Sequence, residues 1–243
     1  LLEKSIQENE ITVMSIFVNP TQFNNSEDLD KYPRTLDQDV EKMKGLNENI
    51  VVYAPTVEDI YEGNTTSQAF EYDGLENQME GQHRPGHFDG VGTIVKRLFE
   101  IVQPTQAYFG EKDFQQLQIV KKLVSKYKMP LSIIGCPIFR EASGLAMSSR
   151  NERLSAEARQ KAALIFEVLN DVTTVFKTHS IKETINFVEA VFKKHPEFEL
   201  EYFEIADEET LLSTENKDEN AKYRGFIAIF IENIRLIDNI SLN

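Results

Sequence analysis

The chain has 243 residues, 41% hydrophobic and 27% charged, with a formal net charge of −14 at pH 7. That length fits one large domain or two modest ones with ample core material. The acidity argues against nucleic acid as a partner, which would need a basic surface, and no apolar run approaches the ~18 residues of a membrane span.

A small phosphate ligand stays open, because a few cations such as Lys112, Arg140 and Arg150 can build a positive pocket inside an acidic protein. No charged-then-apolar leader opens the chain, so no secretory signal is expected. The single cysteine, Cys136, excludes an internal disulfide framework; it predicts a small buried hydrophobe and a reducing, cytoplasmic setting. The opening Leu1-Leu2-Glu3-Lys4, without methionine, reads as the tail of a helix entered midway and predicts natural sequence upstream.

Residues 11–18 are apolar and β-branched and predict a strand covered on both faces, stopped by the turn signal Asn19-Pro20. Residues 35–46 predict a helix with Leu36, Val40 and Met43 on one face, and 50–54 a second short strand. Residues 70–79 fit neither period. The glycine-rich segment 81–90 reads as a loop and 91–102 as a helix. A strand at 107–109, a helix at 114–126 and a strand at 131–138 follow. Strands alternating with helices predict βαβ units around a parallel sheet. Beyond residue 140 the character changes. Ser155 is a candidate N-cap for a long helix over 156–177, a second helix spans 181–194, and strands follow at 200–206, 225–231 and 235–240. The division expected is residues 1–140 and 141–243, with a hinge at 141–144.

The most informative stretch is Gly110-Glu111-Lys112-Asp113-Phe114-Gln115-Gln116. It puts a glycine, a lysine and an acid where a strand hands over to a helix start. Unpaired backbone N–H groups there favour an anion, and Lys112 adds a point charge suited to phosphate. Asp113-x-x-Gln116 equally fits a capping box. Asn19 and Gln22 follow a buried strand, at the carboxyl end where α/β sheets bind ligands; the bland reading makes them a turn and its flank. The segment from Met147 through Ser148, Ser149 and Arg150 offers two hydroxyls and a guanidinium for phosphate oxygens, or simply a polar turn before a helix. His83 and His87 have no carboxylate or cysteine cluster beside them, so no metal site is expected. His179 and His195 read as exposed helix ends, and Glu208-Glu209 as a solvated face. Neither a P-loop nor a G-x-G-x-x-G run is present.

Seven segments in order resemble the pantoate–β-alanine ligase (pantothenate synthetase) family: Ser15-Ile-Phe-Val-Asn-Pro-Thr-Gln-Phe23, Glu27-Asp-Leu-Asp-Lys-Tyr-Pro-Arg34, Arg84-Pro-Gly-His-Phe-Asp-Gly-Val91, Tyr108-Phe-Gly-Glu-Lys-Asp-Phe-Gln-Gln116, Gly144-Leu-Ala-Met-Ser-Ser-Arg-Asn151, Glu201-Tyr-Phe-Glu204 and Arg235-Leu-Ile-Asp-Asn239. The resemblance implies an α/β fold: a Rossmann-like nucleotidyl-transferase domain with a parallel sheet (1–140, N-terminally incomplete) and a smaller C-terminal α+β lid domain (141–243). It implies a homodimer, ATP and Mg²⁺, and condensation of pantoate with β-alanine through pantoyl adenylate, releasing AMP and pyrophosphate.

By similarity, Gly110, Glu111, Lys112, Asp113, Phe139, Met147, Ser148, Ser149 and Arg150 bind ATP. Lys112, Ser148, Ser149 and Arg150 form the catalytic set. Gln22 and Gln116 hold pantoate, and Gln22 also serves β-alanine. The family's usual valine is Phe139 here, and a main-chain contact to adenine should tolerate the change. The family's His-x-Gly-His-type motif has no match in the chain. The alternatives are a nucleotidyltransferase of the same superfamily and an inactive remnant.

Overall fold

The structure is a computed structural model describing residues 1–23, 26–47 and 49–243. Its internal contacts define two compact units: Leu1–Gly110 with Gln115–Cys136, and Glu111–Phe114 with Pro137–Asn243.

The first unit carries α1 (Leu2–Glu8), β1 (Thr12–Ser15), a 3-10 turn at Pro20–Gln22, α2 (Ser26–Asp30), α3 (Leu36–Lys44), β2 (Ile50–Tyr53), α4 (Val57–Tyr61), a 3-10 turn at Leu75–Asn77, α5 (Met79–His83), α6 (His87–Val102), β3 (Gln106–Gly110), most of α7 (Phe114–Lys126) and β4 (Ser132–Cys136). β1 pairs with β2 and β3 with β4, both parallel, in registers running from Thr12↔Ile50 and Gln106↔Ser132. Parallel neighbours need a crossover, and α3 and α7 lie in the two crossovers. The α/β class with parallel pairing is therefore observed.

Three local expectations change. β1 is shorter than 11–18 and is not covered on both faces: Thr12 is buried while Val13 is 37% exposed. β-branched residues favour extended backbone, but neighbours decide which face is covered. The chain leaves the ladder after Ile16, whose N–H still reaches the Tyr53 carbonyl at 2.9 Å. Segment 81–90, expected as a loop, holds the end of α5 and the first turn of α6, with the break confined to residues 84–86. Its glycines serve close packing as well as turning: a Cβ at Gly90 would lie 2.4 Å from the Thr21 carbonyl oxygen.

The second unit carries a 3-10 turn at Ser149–Arg153, α8 (Ala156–Lys161), α9 (Leu164–Thr178), α10 (Ile181–Phe192) and the antiparallel sheet β5 (Phe198–Asp207), β6 (Tyr223–Ile231), β7 (Ile234–Ser241), ordered β5-β6-β7. Ser155 caps α8 as expected, accepting from the Ala158 N–H. The long helix expected over 156–177 is instead two. Bonds of the i→i+3 kind, from Ala163 N–H to Gln160 and from Ile165 N–H to Ala162, tighten the chain between α8 and α9. The core joins Ile165, Leu169 and Val172 of α9 and Val188 of α10 to Phe203, Ile227 and Ile229 of the sheet. On β6, Arg224 and Phe226 meet Phe114: the guanidinium lies 4.0 Å from its ring centroid and the Phe226 ring 6.0 Å away. That contact ties the Glu111–Phe114 segment to this sheet.

Candidate active site

β3 ends at Gly110, a 3-10 turn occupies Glu111–Asp113, and α7 begins at Phe114. The expected strand-to-helix handover is present. Asp113 is exposed and closes the 3-10 turn that leads directly into α7. Glu111 and Lys112 are half-buried. Beneath them, the Asn239 side-chain amide donates to both the Glu111 and the Lys112 carbonyl at 2.8 Å.

Residues 139–147 form a small hairpin, with Arg140 bridged to Ala146 and the Met147 N–H on the Phe139 carbonyl at 2.9 Å. Phe139 is 72% exposed and Met147 is exposed too. Gly144 turns the hairpin at φ +90, where a Cβ would meet the Phe166 ring at 2.4 Å. Ser148 caps the following 3-10 turn, accepting from the Arg150 N–H at 3.3 Å. Ser149 is exposed and Arg150 half-buried. Buried Asn151 anchors the turn from inside, donating to Glu141 at 2.7 Å and to the Ala146 carbonyl at 3.1 Å.

The expected hinge at 141–144 lies within the second unit and is tied by Glu141, which accepts from Arg159 twice at 3.0 Å. The Arg159 guanidinium beside it, followed by Asn151, holds the Glu141 carboxyl below its ordinary value of 4.5. The unfolded chain therefore binds this proton more readily than the folded one. Stabilisation from Glu141 is full above pH 4.5 and is lost as pH falls through the lowered folded value. Thermal midpoints between pH 3 and 6 are expected to fall less steeply with acid in Glu141→Gln than in wild type; parallel curves would refute the assignment.

β7 packs against both the Glu111–Asp113 turn and the Ser149–Arg153 turn. Lys112 and Ser148–Arg150 are thus carried by one unit and braced on one strand. Arg140, expected among the phosphate-gathering cations, is committed elsewhere. It forks onto buried Asp238 at 2.6 and 3.0 Å, reaches the Gly144 carbonyl at 3.0 Å and covers the Phe166 ring. Glu208 is likewise more than a solvated face, since it receives Arg224 at 2.9 and 2.8 Å.

In the first unit, Gln22 closes the Pro20–Gln22 turn. Its carbonyl accepts from His87 Nδ1 at 2.9 Å and Arg84 at 3.2 Å. With Nδ1 protonated, His87 Nε2 can accept from Arg84 Nη1, 3.3 Å away. Asn19, which the sequence left open as either a ligand contact beside Gln22 or part of a turn, is 2% exposed and engaged internally. It donates to the Gly90 carbonyl and the Gln22 side-chain oxygen, at 3.1 and 3.4 Å, and accepts from the Tyr61 hydroxyl at 2.5 Å. Of the consecutive glutamines on α7, Gln115 is buried on the Glu80 N–H and the Leu75 and Gln78 carbonyls. Gln116 stays half-exposed. Cys136 is buried as expected; His179 is exposed, whereas His195 is half-buried against Phe198. Among the described residues no three His, Cys, Asp or Glu side chains gather as metal donors, and no helix is long and apolar enough to cross a membrane.

A model of the pantoate–beta-alanine ligase family matches residues 1–241. The chain belongs to the pantoate–β-alanine ligase family. A pantothenate synthetase of Flavobacterium psychrophilum is 65% identical over 242 residues, covering 100% of this chain and 86% of the relative. One from Christiangramia forsetii is 52% identical over 243 residues, with coverages of 100% and 86%. The crystal structure of pantothenate synthetase from Thermus thermophilus matches with a TM-score of 0.91 at 40% identity, covering 100% of this chain and 87% of that one. A pantoate–β-alanine ligase from Francisella tularensis, complexed with beta-gamma ATP and β-alanine, matches with a TM-score of 0.76 at 33% identity, with coverages of 100% and 83%. In this member of the family, the polar residues that sequence reading passed over are Asn239, Asp238, Arg224 and Arg84, while His87 was weighed only as a metal ligand. All but Arg224 sit in segments carrying the family resemblance, which was the only signal available for them.

Proposed function

We propose that this family member condenses pantoate with β-alanine, using ATP, through pantoyl adenylate, releasing pyrophosphate and then AMP. The observation that carries the nucleotide assignment is the bracing of the Lys112 turn and the Ser148–Arg150 turn on the single strand β7. The ATP- and β-alanine-bound relative from Francisella tularensis supports the same substrates.

In this reading the pantoate carboxylate attacks the α-phosphorus of ATP and pyrophosphate leaves. A carboxylate is already ionised at pH 7, so the step needs no base. Charge grows on the leaving pyrophosphate, and donors fixed where it grows stabilise the transition state. Lys112, Ser148, Ser149 and Arg150 are those donors. Gly110, Glu111, Asp113, Phe139 and Met147 complete the ATP contacts, Phe139 through its main chain. Asp113 orients ribose or Lys112. Gln22 and Gln116 hold pantoate, a hydroxy acid that an amide can read by donating and accepting at once, and Gln22 also meets β-alanine. The β-alanine amine then attacks the acyl adenylate and AMP leaves. Magnesium enters as part of the nucleotide substrate, since Mg²⁺ is commonly held by substrate phosphates with few protein ligands. A homodimer and a cytoplasmic location are proposed with this reading, on the family resemblance.

The test is product analysis with purified protein. Pyrophosphate release should need ATP and pantoate, and AMP release should need β-alanine as well. Pyrophosphate without AMP, whatever amine is supplied, would point to a nucleotidyltransferase. No turnover with all three substrates would point to an inactive remnant.

A further inference from the structure

We propose that Asn239 is a positioning residue for adenylate formation, acting through the backbone beneath Lys112. This rests on the reading of Lys112 given above. Asn239 is 1% exposed, on β7. Its two amide protons go to two successive carbonyls, those of Glu111 and Lys112, each at 2.8 Å. Its side-chain oxygen accepts from Arg224 Nη1 at 2.7 Å. The orientation of the amide follows from its neighbours. Carbonyls only accept and a guanidinium only donates, so nitrogen must face the turn and oxygen the arginine.

The support is itself braced. Arg224 is held by Glu208 and lies over Phe114, the residue that opens α7. The Asn239 N–H donates to Asp238 Oδ1 at 2.8 Å, and Asp238 takes both prongs of Arg140. Arg140 in turn holds the Gly144 carbonyl, four residues before Ser148. One buried polar chain therefore runs from the backbone of Lys112 to the hairpin leading into Ser148–Arg150, wholly inside the second unit. With both carbonyls fixed, the direction in which the Lys112 side chain leaves the backbone is fixed too. Satisfied buried networks of this kind rigidify what they touch.

Asn239→Asp is the test. The aspartate has the same shape and still accepts from Arg224, but it has no donor for the two carbonyls and sets a carboxylate oxygen against them. Single-turnover formation of pantoyl adenylate is expected to fall about 10²-fold, the usual effect of a displacement near 1 Å. The KM values for pantoate and β-alanine should change less than about twofold, because those substrates do not meet the Glu111–Lys112 backbone. Affinity for α,β-methylene-ATP should also weaken. In a Lys112→Ala background Asn239→Asp should add nothing to either readout. Wild-type adenylation in Asn239→Asp overturns the inference, and so does an equal loss in both backgrounds, which would mark a merely structural residue. Wild-type adenylation in Lys112→Ala overturns the reading of Lys112 and this inference with it. If the aspartate variant does not fold, Asn239→Ser, with a hydroxyl too short to span both carbonyls, is read against the same outcomes.

Discussion

Replacing Lys112 or Arg150 by alanine should lower the rate of pantoyl adenylate formation by about 10²–10³ each, the typical effect of removing one preorganised donor from a developing charge. Stability should change little, because each turn has supports other than these two side chains. The Lys112 backbone is gripped by Asn239, and the Arg150 turn is capped by Ser148 and anchored by Asn151. Substitutions away from such supports usually shift stability by no more than about 0.5 kcal/mol. Quenched-flow measurement of pyrophosphate release with pantoate but no β-alanine isolates the step. Either variant running at the wild-type rate would remove that residue from the site. A drop in thermal midpoint parallel to the lost rate would instead make the effect one of folding.

Gly90→Ala should strike the pantoate side of the reaction. A Cβ there would lie 2.4 Å from the Thr21 carbonyl oxygen, 2.7 Å from its carbon and 2.9 Å from the Gln22 Cα, all of them backbone atoms. Backbone cannot swing aside as a flexible side chain can, so α6 and the Pro20–Gln22 turn must separate. Overpacking of this kind costs about 1–3 kcal/mol. The displaced turn carries Gln22, so pantoate KM should rise about 10- to 100-fold, given the sensitivity of substrate positioning to shifts near 1 Å. ATP KM should stay near wild type. Steady-state kinetics in each substrate, together with a thermal scan, checks both halves. An unchanged pantoate KM beside a lowered midpoint would separate the Gln22 turn from pantoate binding.

Much of the fold was legible because its signals are local. The amphipathic period of 114–126 coincides with α7, and Ser155 caps α8 as its chemistry predicts. The alternation of strands and helices implied parallel pairing, which β1–β2 and β3–β4 show. Segment 81–90 was less legible. A glycine looks the same in sequence whether it turns the chain or admits a neighbour, and Gly90 admits the Gln22 turn. The unbroken helical pattern of 156–177 similarly hid the tightening at residues 160–165, because no proline or glycine marks it.

The site divides along the same line. The sequence by itself determined the kinds of most of the longer elements, the strand-to-helix placement of Lys112, and the polar runs at Gln22, Gln116 and Ser148–Arg150. Tertiary structure decided which polar groups are consumed in holding the others. Asn19 is engaged by Gly90, 71 positions away; Arg140 by Asp238, 98 away; and Asn239 by the Lys112 carbonyl, 127 away. A side chain's composition and neighbours in the chain state what it can donate or accept. Whether a remote partner arrives to use that capacity depends on packing, because an unpaired polar group is costly to bury and a paired one is not.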